Sequence, residues 1–296
     1  MFLCKGLQLK KLRQISVLGM GLLGASVSLS ILRSLKGVKV VGYSHRESTR
    51  QKAREMSVCD EVADDLGECV ADSDVVILAS PICTFEGVMA EIAPSLKDGC
   101  IVTDVGSTKG SPHKWAVKLL GKNVRYVGSH PIAGSEQRGV EYARDDLLAG
   151  AQCIITHTAK TDADAVAVLE KMWTTMGCVV SLMTPAVHDR TFGAVSHVPH
   201  ITAAALINAS DDEQMKFAGK GFIDTTRVAS GPANVWSDIL TTNPLNTARG
   251  VDKVIKELTK LSDAIKKGDQ AKIEKLLEKA RGKRAKLIEY KMQDLI

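Results

Sequence analysis

Long apolar runs are absent from this sequence of 296 residues, since none is long enough to span a bilayer. Residues 1–5 also lack the apolar core of a secretory signal, so we expect a cytoplasmic protein without a membrane partner. Aromatic residues make up only 4% of the chain, and its Lys and Arg residues do not cluster around them, which argues against nucleic-acid binding. The mild formal net charge of +5 is better suited to small anionic ligands.

The number and spacing of the cysteines do not indicate a disulfide framework. The number is odd and no C-x-x-C pair occurs among the seven, which are Cys4, Cys59, Cys69, Cys83, Cys100, Cys153 and Cys178. This pattern predicts reduced, mostly buried thiols and argues against a disulfide framework or a zinc site. His188, His197 and His200 have a spacing that permits chelation, but no carboxylate or cysteine completes a ligand set, so we expect no metal.

Strand-like and helical segments alternate in the first part of the chain. Apolar strand-like runs occur at residues 15–18, 38–42, 75–79, 101–104, 124–127, 153–156 and 179–183, with helical patterns between them. This alternation predicts an α/β fold with a Rossmann-type, mostly parallel sheet. After Pro185 only helical patterns remain, the first from residue 186 to 209. We therefore predict a dinucleotide-binding domain at residues 1–184 and an all-helical substrate-binding and dimerisation domain at residues 185–296.

A glycine fingerprint follows the first predicted strand and opens a predicted helix. It reads G-x-G-x-x-G and consists of Gly19, Met20, Gly21, Leu22, Leu23 and Gly24. In dinucleotide-binding folds the first glycine permits a tight turn, the second lets the backbone approach the pyrophosphate, and the third allows close packing of helix and strand. The motif predicts a nicotinamide dinucleotide cofactor. A glycine turn without a ligand is the alternative.

The end of the second predicted strand carries Tyr43, Ser44, His45 and Arg46, where NAD-binding proteins usually place an acidic residue. Ser44 can donate a hydrogen bond, and Arg46 offers a fork of donors to a 2′-phosphate. We therefore predict a preference for NADP over NAD. Two alternatives stay open. Glu47 serves as the ribose acid if the turn is one residue longer, and Arg46 is otherwise a solvated loop charge.

Polar residues follow three predicted strands, at the edge where ligands bind in parallel sheets. Ser80 and Pro81 follow the strand at 75–79, and Asp104 and Ser107 mark the end of the strand at 101–104. His130 follows the strand at 124–127. We expect these segments to converge on one crevice. Ser80, Pro81 and Asp104 are predicted cofactor contacts, and His130 is a candidate acid/base group.

The helical half has a polar cluster of its own, which includes the run from Ser196 to His200 and the run from Asp224 to Arg227. Pro199 lies inside the helix predicted at residues 186–209, where it removes a backbone donor and bends the chain. Arg227 lies among apolar and hydroxyl residues, so we expect it to have a carboxylate partner. That partner is either Asp224 or a substrate.

Together these motifs resemble the prephenate/arogenate dehydrogenases of tyrosine biosynthesis over nearly the whole chain. The matching stretches are the glycine fingerprint, D-V-G-S-T-K at 104–109, G-S-H-P-I-A-G-S-E at 128–136, S-H-V-P-H at 196–200 and D-T-T-R at 224–227. The resemblance implies oxidative decarboxylation of arogenate and/or prephenate to tyrosine and/or 4-hydroxyphenylpyruvate, with hydride transfer to NAD(P).

The resemblance also implies roles for particular residues. His130 would hydrogen-bond the ring hydroxyl of the substrate, and a neutral imidazole accepts a proton near pH 7. Ser107 would hydrogen-bond near this histidine and the nicotinamide. Ser135, His200 and Arg227 would bind the substrate. The helical domain would pair two copies as a homodimer.

Several alternatives remain open at this point. The NADP-like loop favours arogenate by analogy, but the preference between arogenate and prephenate depends on groups that the sequence does not position. The sequence does not show which of the two substrate carboxylates Arg227 would bind. Another Rossmann dehydrogenase of the 3-hydroxyacid type would share the fold but would use a lysine base. A non-catalytic NADP-sensing module would keep the glycines without needing His130 or Ser107.

Overall fold

A computed structural model of the chain describes residues 12–133 and 137–293. It divides into two compact units, Met1–Asn246 and Thr247–Ile296. The predicted domain boundary after residue 184 lies just before a helix that begins at Pro185. It stays a prediction, because the compact units divide further along the chain.

The first sheet has six strands, and every strand pair in it is parallel. Its spatial order is β3-β2-β1-β4-β5-β6, the doubly wound order whose ligand crevice lies where the order reverses, between β1 and β4. The strands are β1 Gln14–Leu18, β2 Lys39–Tyr43, β3 Glu61–Val62, β4 Val75–Leu78, β5 Ile101–Asp104 and β6 Arg125–Tyr126. The helices within this part are α1 Leu22–Ser34, α2 Glu47–Glu55, α3 Leu66–Ala71, α4 Phe85–Ile92 and α5 Gly110–Leu119.

Burial explains why these strands were visible as continuous apolar runs. Along β4, Val75 and Ile77 belong to one hydrophobic cluster, whereas Val76 and Leu78 belong to another. All four side chains are fully buried. Both faces of the sheet are therefore covered, as parallel sheets require.

A second sheet of three strands contains β7 Gly128–Pro131, β8 Gln152–Thr156 and β9 Val179–Met183, and α6 Ala163–Thr175 links β8 to β9. β7 runs antiparallel to β8, and β8 runs parallel to β9. His130 follows the strand predicted at 124–127, as expected, but that strand is shorter, β6, and His130 itself lies within a further strand, β7, that was not predicted. The sequence of β7 hides it, since Gly, Ser, His and Pro lack strand periodicity and Pro is confined to edge strands.

The remaining elements are helical: α7 Pro185–Phe192, α8 Val198–Asn208, α9 Asp212–Met215, α10 Lys220–Thr226, α11 Ala233–Thr242, α12 Pro244–Lys266 and α13 Gln270–Gln293. The helix predicted at residues 186–209 is interrupted, because a π-helical turn at Gly193–His197 separates α7 from α8. Pro199 lies in the first turn of α8, where its missing donor costs least. Among the described residues, no helix is long and apolar enough to cross a membrane.

Candidate active site

Two glycines of the fingerprint are fixed by sterics at the crevice. Gly19 has φ +116°, and a Cβ there would lie 2.5 Å from the backbone of both Ala79 and Ser80. A Cβ on Gly24 would lie 1.8 Å from the carbonyl oxygen of Gly19. Both contacts are to backbone that cannot move aside, so only glycine fits at these two positions.

Gly21 differs, because a Cβ there would meet no atom within 4 Å. It is also the N-cap of α1, and no side chain caps that helix end. The first amides of α1, at Leu22 and Leu23, are therefore uncapped at the positive end of the helix dipole, next to the open space at Gly21. Open space beside uncapped amides fits the pyrophosphate of a dinucleotide.

The loop after β2 is held by an arginine that sequence reasoning overlooked. Arg50, in α2, donates to the carbonyl oxygens of Ser44 at 2.8 Å and His45 at 3.2 Å. It also donates to the carboxylate of Glu47 at 2.9 Å. Glu47, the alternative ribose acid, is therefore paired within its own helix. No hydrogen bond or ion pair joins the Arg46 side chain to another described residue.

Ser80 and Pro81 lie at the carboxyl end of β4, directly beside the glycine turn. The Ser80 hydroxyl is 2.7 Å from the Thr84 hydroxyl, which donates to the carbonyl oxygen of Pro81 at 2.7 Å. These two hydrogen bonds close the turn where it meets Gly19.

Asp104 ends β5 and is fully buried. Its carboxylate accepts from the ammonium group of Lys109, from the amide of Gly106 at 2.7 Å and from the hydroxyl of Tyr126 at 2.6 Å. Burial and this carboxylate together raise the pKa of Tyr126 well above its ordinary value. Because protein groups surround the carboxylate, the geometry favours a structural role for Asp104 over the predicted direct cofactor contact.

Lys109 connects this buried cluster to β7. Its side chain is fully buried, and its Nζ donates to the carbonyl oxygen of Ser129 at 2.7 Å. The Ser129 hydroxyl accepts from the indole of Trp173 at 3.0 Å and lies 2.9 Å from the Thr103 hydroxyl. β7 is thus anchored by three side chains at the residue before His130.

The predicted catalytic pair shares one cavity. It has a volume of about 270 Å³ and is lined by Leu23, Val105, Ser107, His130, Pro131, Ile132 and Ala133. The cavity therefore joins α1 of the glycine turn, the turn after β5, and β7. Two of the three segments expected to converge do so here, those of Ser107 and His130, whereas Ser80 and Pro81 are not among the lining residues.

His130 also begins a chain of hydrogen bonds. Its Nδ1 lies 2.9 Å from Nε2 of His188, and Nδ1 of His188 lies 2.9 Å from Oδ1 of Asp189. Burial lowers the pKa of His130 well below its ordinary value, and the neighbouring His188, Lys109 and His197 lower it further. His130 is therefore neutral near pH 7 and able to accept a proton.

A second polar group lies on the helical elements. His200, in α8, stacks on Trp236 with ring centroids 3.6 Å apart, and its buried Nδ1 has no hydrogen-bond partner among the described residues. Arg227 begins a 3₁₀ turn that packs against α8, and its side chain is exposed. Neither residue lines the cavity around His130. Ser135 lies outside the described residues.

Two family models cover most of the chain. The nucleotide-binding domain of prephenate dehydrogenase matches residues 27–182, and the dimerization domain of prephenate dehydrogenase matches residues 184–279.

The chain belongs to the prephenate dehydrogenase family.

Individual relatives agree with the family models. The cyclohexadienyl dehydrogenase of Zymomonas mobilis is 32% identical over 264 residues, which are 87% of this chain and 90% of the relative. The prephenate dehydrogenase of Bacillus subtilis is 32% identical over 258 residues, or 85% of this chain and 70% of the relative. A crystal structure of Aquifex aeolicus prephenate dehydrogenase with hydroxyphenyl propionate and NAD⁺ has a TM-score of 0.85 and 33% identity, covering 93% of this chain and 98% of that one.

Membership of the prephenate dehydrogenase family confirms the predicted resemblance and fold class, and it makes the chain an oxidoreductase with a nicotinamide cofactor. The two rival hypotheses are not favoured. A 3-hydroxyisobutyrate dehydrogenase of Mycobacterium tuberculosis is 16% identical with a TM-score of 0.52 over 75% of this chain, which shows a shared fold alone.

Sequence reasoning did not give two residues of this site, Asp189 and His188, their place beside His130. Asp189 was not singled out, and His188 was considered only as a metal ligand. The signal available was weak, because a histidine and an aspartate side by side in a helical pattern are common. Their role follows only from the contact of His188 with His130, which lies 58 residues earlier in the sequence.

Proposed function

We propose that this chain catalyses the oxidative decarboxylation of arogenate and/or prephenate with hydride transfer to NADP or NAD. The observation that carries the proposal is the cavity in which His130 and Ser107 meet Leu23 of the glycine turn. A cofactor held by that turn would lie beside a neutral base. Neither alternative function requires a histidine base at this position. A sensing module needs no base, and a 3-hydroxyacid enzyme would use lysine.

The residues present fit a dinucleotide, because the fingerprint is sterically fixed and the first amides of α1 are uncapped. Leu22 and Leu23 would hold the pyrophosphate through their amides. Ser80 and Pro81 would bound the cofactor at the carboxyl end of β4. When bound, the nicotinamide supplies the acceptor for a hydride.

His130 handles the proton of the substrate hydroxyl. As the hydride leaves the ring carbon that bears this hydroxyl, the oxygen becomes acidic, and His130 accepts its proton. The bond from the opposite ring carbon to its carboxylate then breaks, its electrons enter the ring, and carbon dioxide departs. The resulting phenolate oxygen takes the proton back from His130. Ser107 lines the same cavity and would orient the hydroxyl.

Substrate binding is assigned to Ser135, His200 and Arg227. The buried, unpartnered Nδ1 of His200 supports its place among them, because such a nitrogen is costly without a polar ligand. We assign Arg227 to the side-chain carboxylate of the substrate. An arginine on the departing carboxylate would stabilise the ground state and oppose the reaction.

The β2 loop favours NADP in this proposal. Glu47 is paired with Arg50, so its carboxylate is held by α2, whereas Arg46 is the N-cap residue of that helix. A guanidinium in this position suits a 2′-phosphate, and a carboxylate would repel it.

Replacing Arg46 by alanine is expected to raise KM for NADP about tenfold to hundredfold, because a charge-assisted hydrogen bond is worth about 1.5–3 kcal/mol. KM for NAD should change little, since NAD has no 2′-phosphate. Steady-state kinetics with both cofactors measure the effect. The matched control is Lys36→Ala, which removes the same charge from an exposed residue before β2. A wild-type preference for NAD would contradict the assignment.

The helical part is proposed to pair two copies of the chain. The match to a dimerization domain supports this, as do exposed apolar side chains on the last two helices. Leu258 and Ile265 on α12 are 58% and 63% exposed, and Leu277 on α13 is 56% exposed. Exposed apolar side chains mark an interaction surface where they form a contiguous patch, which this proposal requires of them. The domains proposed for this arrangement are residues 1–184 and 185–296.

The activity is tested by giving the purified protein arogenate or prephenate with NADP or NAD. We expect reduced cofactor and carbon dioxide in equal amounts, with tyrosine formed from arogenate and 4-hydroxyphenylpyruvate from prephenate. The ratio of kcat/KM across the four combinations assigns substrate and cofactor. Failure to reduce either cofactor with both substrates would overturn the proposed function.

A further inference from the structure

We propose that His188 and Asp189 fix the tautomer of His130, so that the Nε2 nitrogen of His130 presents its lone pair to the cavity. Both are positioning residues, which act through His130. The proposal rests on the proposed function only for the identity of the substrate. The tautomer itself is a property of the protein alone.

The argument begins with the carboxylate of Asp189. Its Oδ1 accepts from the amide of Lys109 at 2.8 Å, and its Oδ2 accepts from the amide of Gly110 at 2.8 Å. Both oxygens are therefore acceptors. Burial opposes ionisation, but the hydrogen bonds from His188 and from these two amides outweigh it and lower the pKa of Asp189. An ionised carboxylate can only accept, so Nδ1 of His188 must carry a hydrogen.

The state of His188 follows from its burial. Its side chain is fully buried, and burial lowers its pKa even though Asp189 favours the charged form. A neutral imidazole carries one hydrogen, and Asp189 already requires it on Nδ1. Nε2 of His188 is then a bare acceptor. Because this atom lies 2.9 Å from Nδ1 of His130, the latter must be the donor.

The consequence for His130 is a single neutral form. When the hydrogen is on Nδ1, the Nε2 atom carries a lone pair. No described residue hydrogen-bonds that atom. The ionisable groups that face His130 are His188 from α7, Lys109 from the residue before α5, and His197 from the π-helical turn. None of them offers an acceptor that would stabilise the opposite tautomer at Nε2.

Packing holds the two rings in this relation. Phe192 contacts both, with centroid distances of 5.0 Å to His130 and 4.5 Å to His188. Asn243 donates to the backbone carbonyl of Asp189 at 2.7 Å and so ties α7 to the end of α11. The histidine pair is therefore set by several elements, and a chance surface contact would lack such support.

Histidine nitrogen NMR on the folded wild-type protein tests the tautomer directly. The signal of His130 is assigned by its loss in His130→Asn. We expect the pattern of a neutral ring with hydrogen on Nδ1 at neutral pH. Hydrogen on Nε2, or on both nitrogens, would overturn the proposal. The measurement uses no substrate, so lack of activity toward prephenate and arogenate would overturn the proposed function without touching this result.

Two variants of His188 separate orientation from simple packing. His188→Gln keeps an acceptor near the position of Nε2, whereas His188→Leu removes it. We expect His188→Leu to lower kcat about tenfold to hundredfold, as for other residues that orient an imidazole, with cofactor affinity unchanged. His188→Gln should recover most of kcat and keep hydrogen on Nδ1 of His130. Equal kcat in both variants would contradict the proposal, and if either fails to fold, the wild-type spectrum decides.

Discussion

Replacing His130 by asparagine is expected to lower kcat by about two to four orders of magnitude, the usual contribution of a positioned acid/base group. Asparagine has no nitrogen that accepts a proton near neutral pH, although its size preserves the cavity. Affinity for the dinucleotide should change little, because the proposed cofactor contacts lie in the glycine turn and the β2 loop. Steady-state kinetics and cofactor titration separate the two effects.

The pH profile of the wild-type enzyme supplies an independent check on the same residue. Burial lowers the pKa of His130, so the base stays neutral and active as the pH falls below the ordinary histidine value of about 6.5. The acidic limb of kcat/KM should therefore lie below that pH and should disappear in His130→Asn. His157→Asn, in the loop after β8 and outside the cavity lining, is the control and should keep its kcat. An unchanged kcat in His130→Asn would show that another group is the base.

Replacing Lys109 by methionine is expected to lower the free energy of unfolding by about 3–5 kcal/mol, the usual cost of removing one member of a buried ion pair. The reason is that Asp104 would stay buried with only Gly106 and Tyr126 as donors. The carbonyl oxygen of Ser129 would also lose its buried partner. Urea unfolding measures the change, and the free energy of unfolding is calculated from the midpoint and the slope of the transition.

The control for Lys109 is Lys114→Met, at an exposed lysine of α5, which should change stability by less than about 0.5 kcal/mol. Adding Asp104→Asn to Lys109→Met should restore part of the loss, because the uncompensated charge is then removed. If Lys109→Met unfolds at the same urea concentration as the wild type, the ion pair contributes nothing to the fold.

Most of the fold was visible in the sequence because a doubly covered sheet requires continuous apolar strands. β1, β4 and β5 lie within two residues of their predicted bounds for this reason. β3 and β7 were missed. β3 has only two residues, and β7 consists of residue types that suit turns, so neither has an apolar pattern. The strand character of β7 comes from pairing with β8, which is a tertiary effect.

The site divides in the same way. The glycine turn, Ser107 and His130 could be found from local motifs, since each motif carries its own physical reason. The pairing of His130 with His188 could not, because the two residues are brought together only by packing of α7 on the second sheet. Asp104 was assigned to the cofactor because it ends a strand at the ligand edge; that assignment stays a prediction, and the structure shows its buried carboxylate bonded to Lys109. Local sequence does not show which way such a side chain faces.

The hydrogen-bonded chain from His130 to Asp189 also limits how this protein can exchange parts with its relatives. His130 lies in the stretch matched by the nucleotide-binding model, whereas His188 and Asp189 lie in the stretch matched by the dimerization model. A gene fusion that joined the first half of one relative to the second half of another would pair the residue at the position of His130 with α7 residues from a different protein. We expect such a chimera to bind its cofactor. It would be active only if both parents carried histidines that can hydrogen-bond each other across the junction.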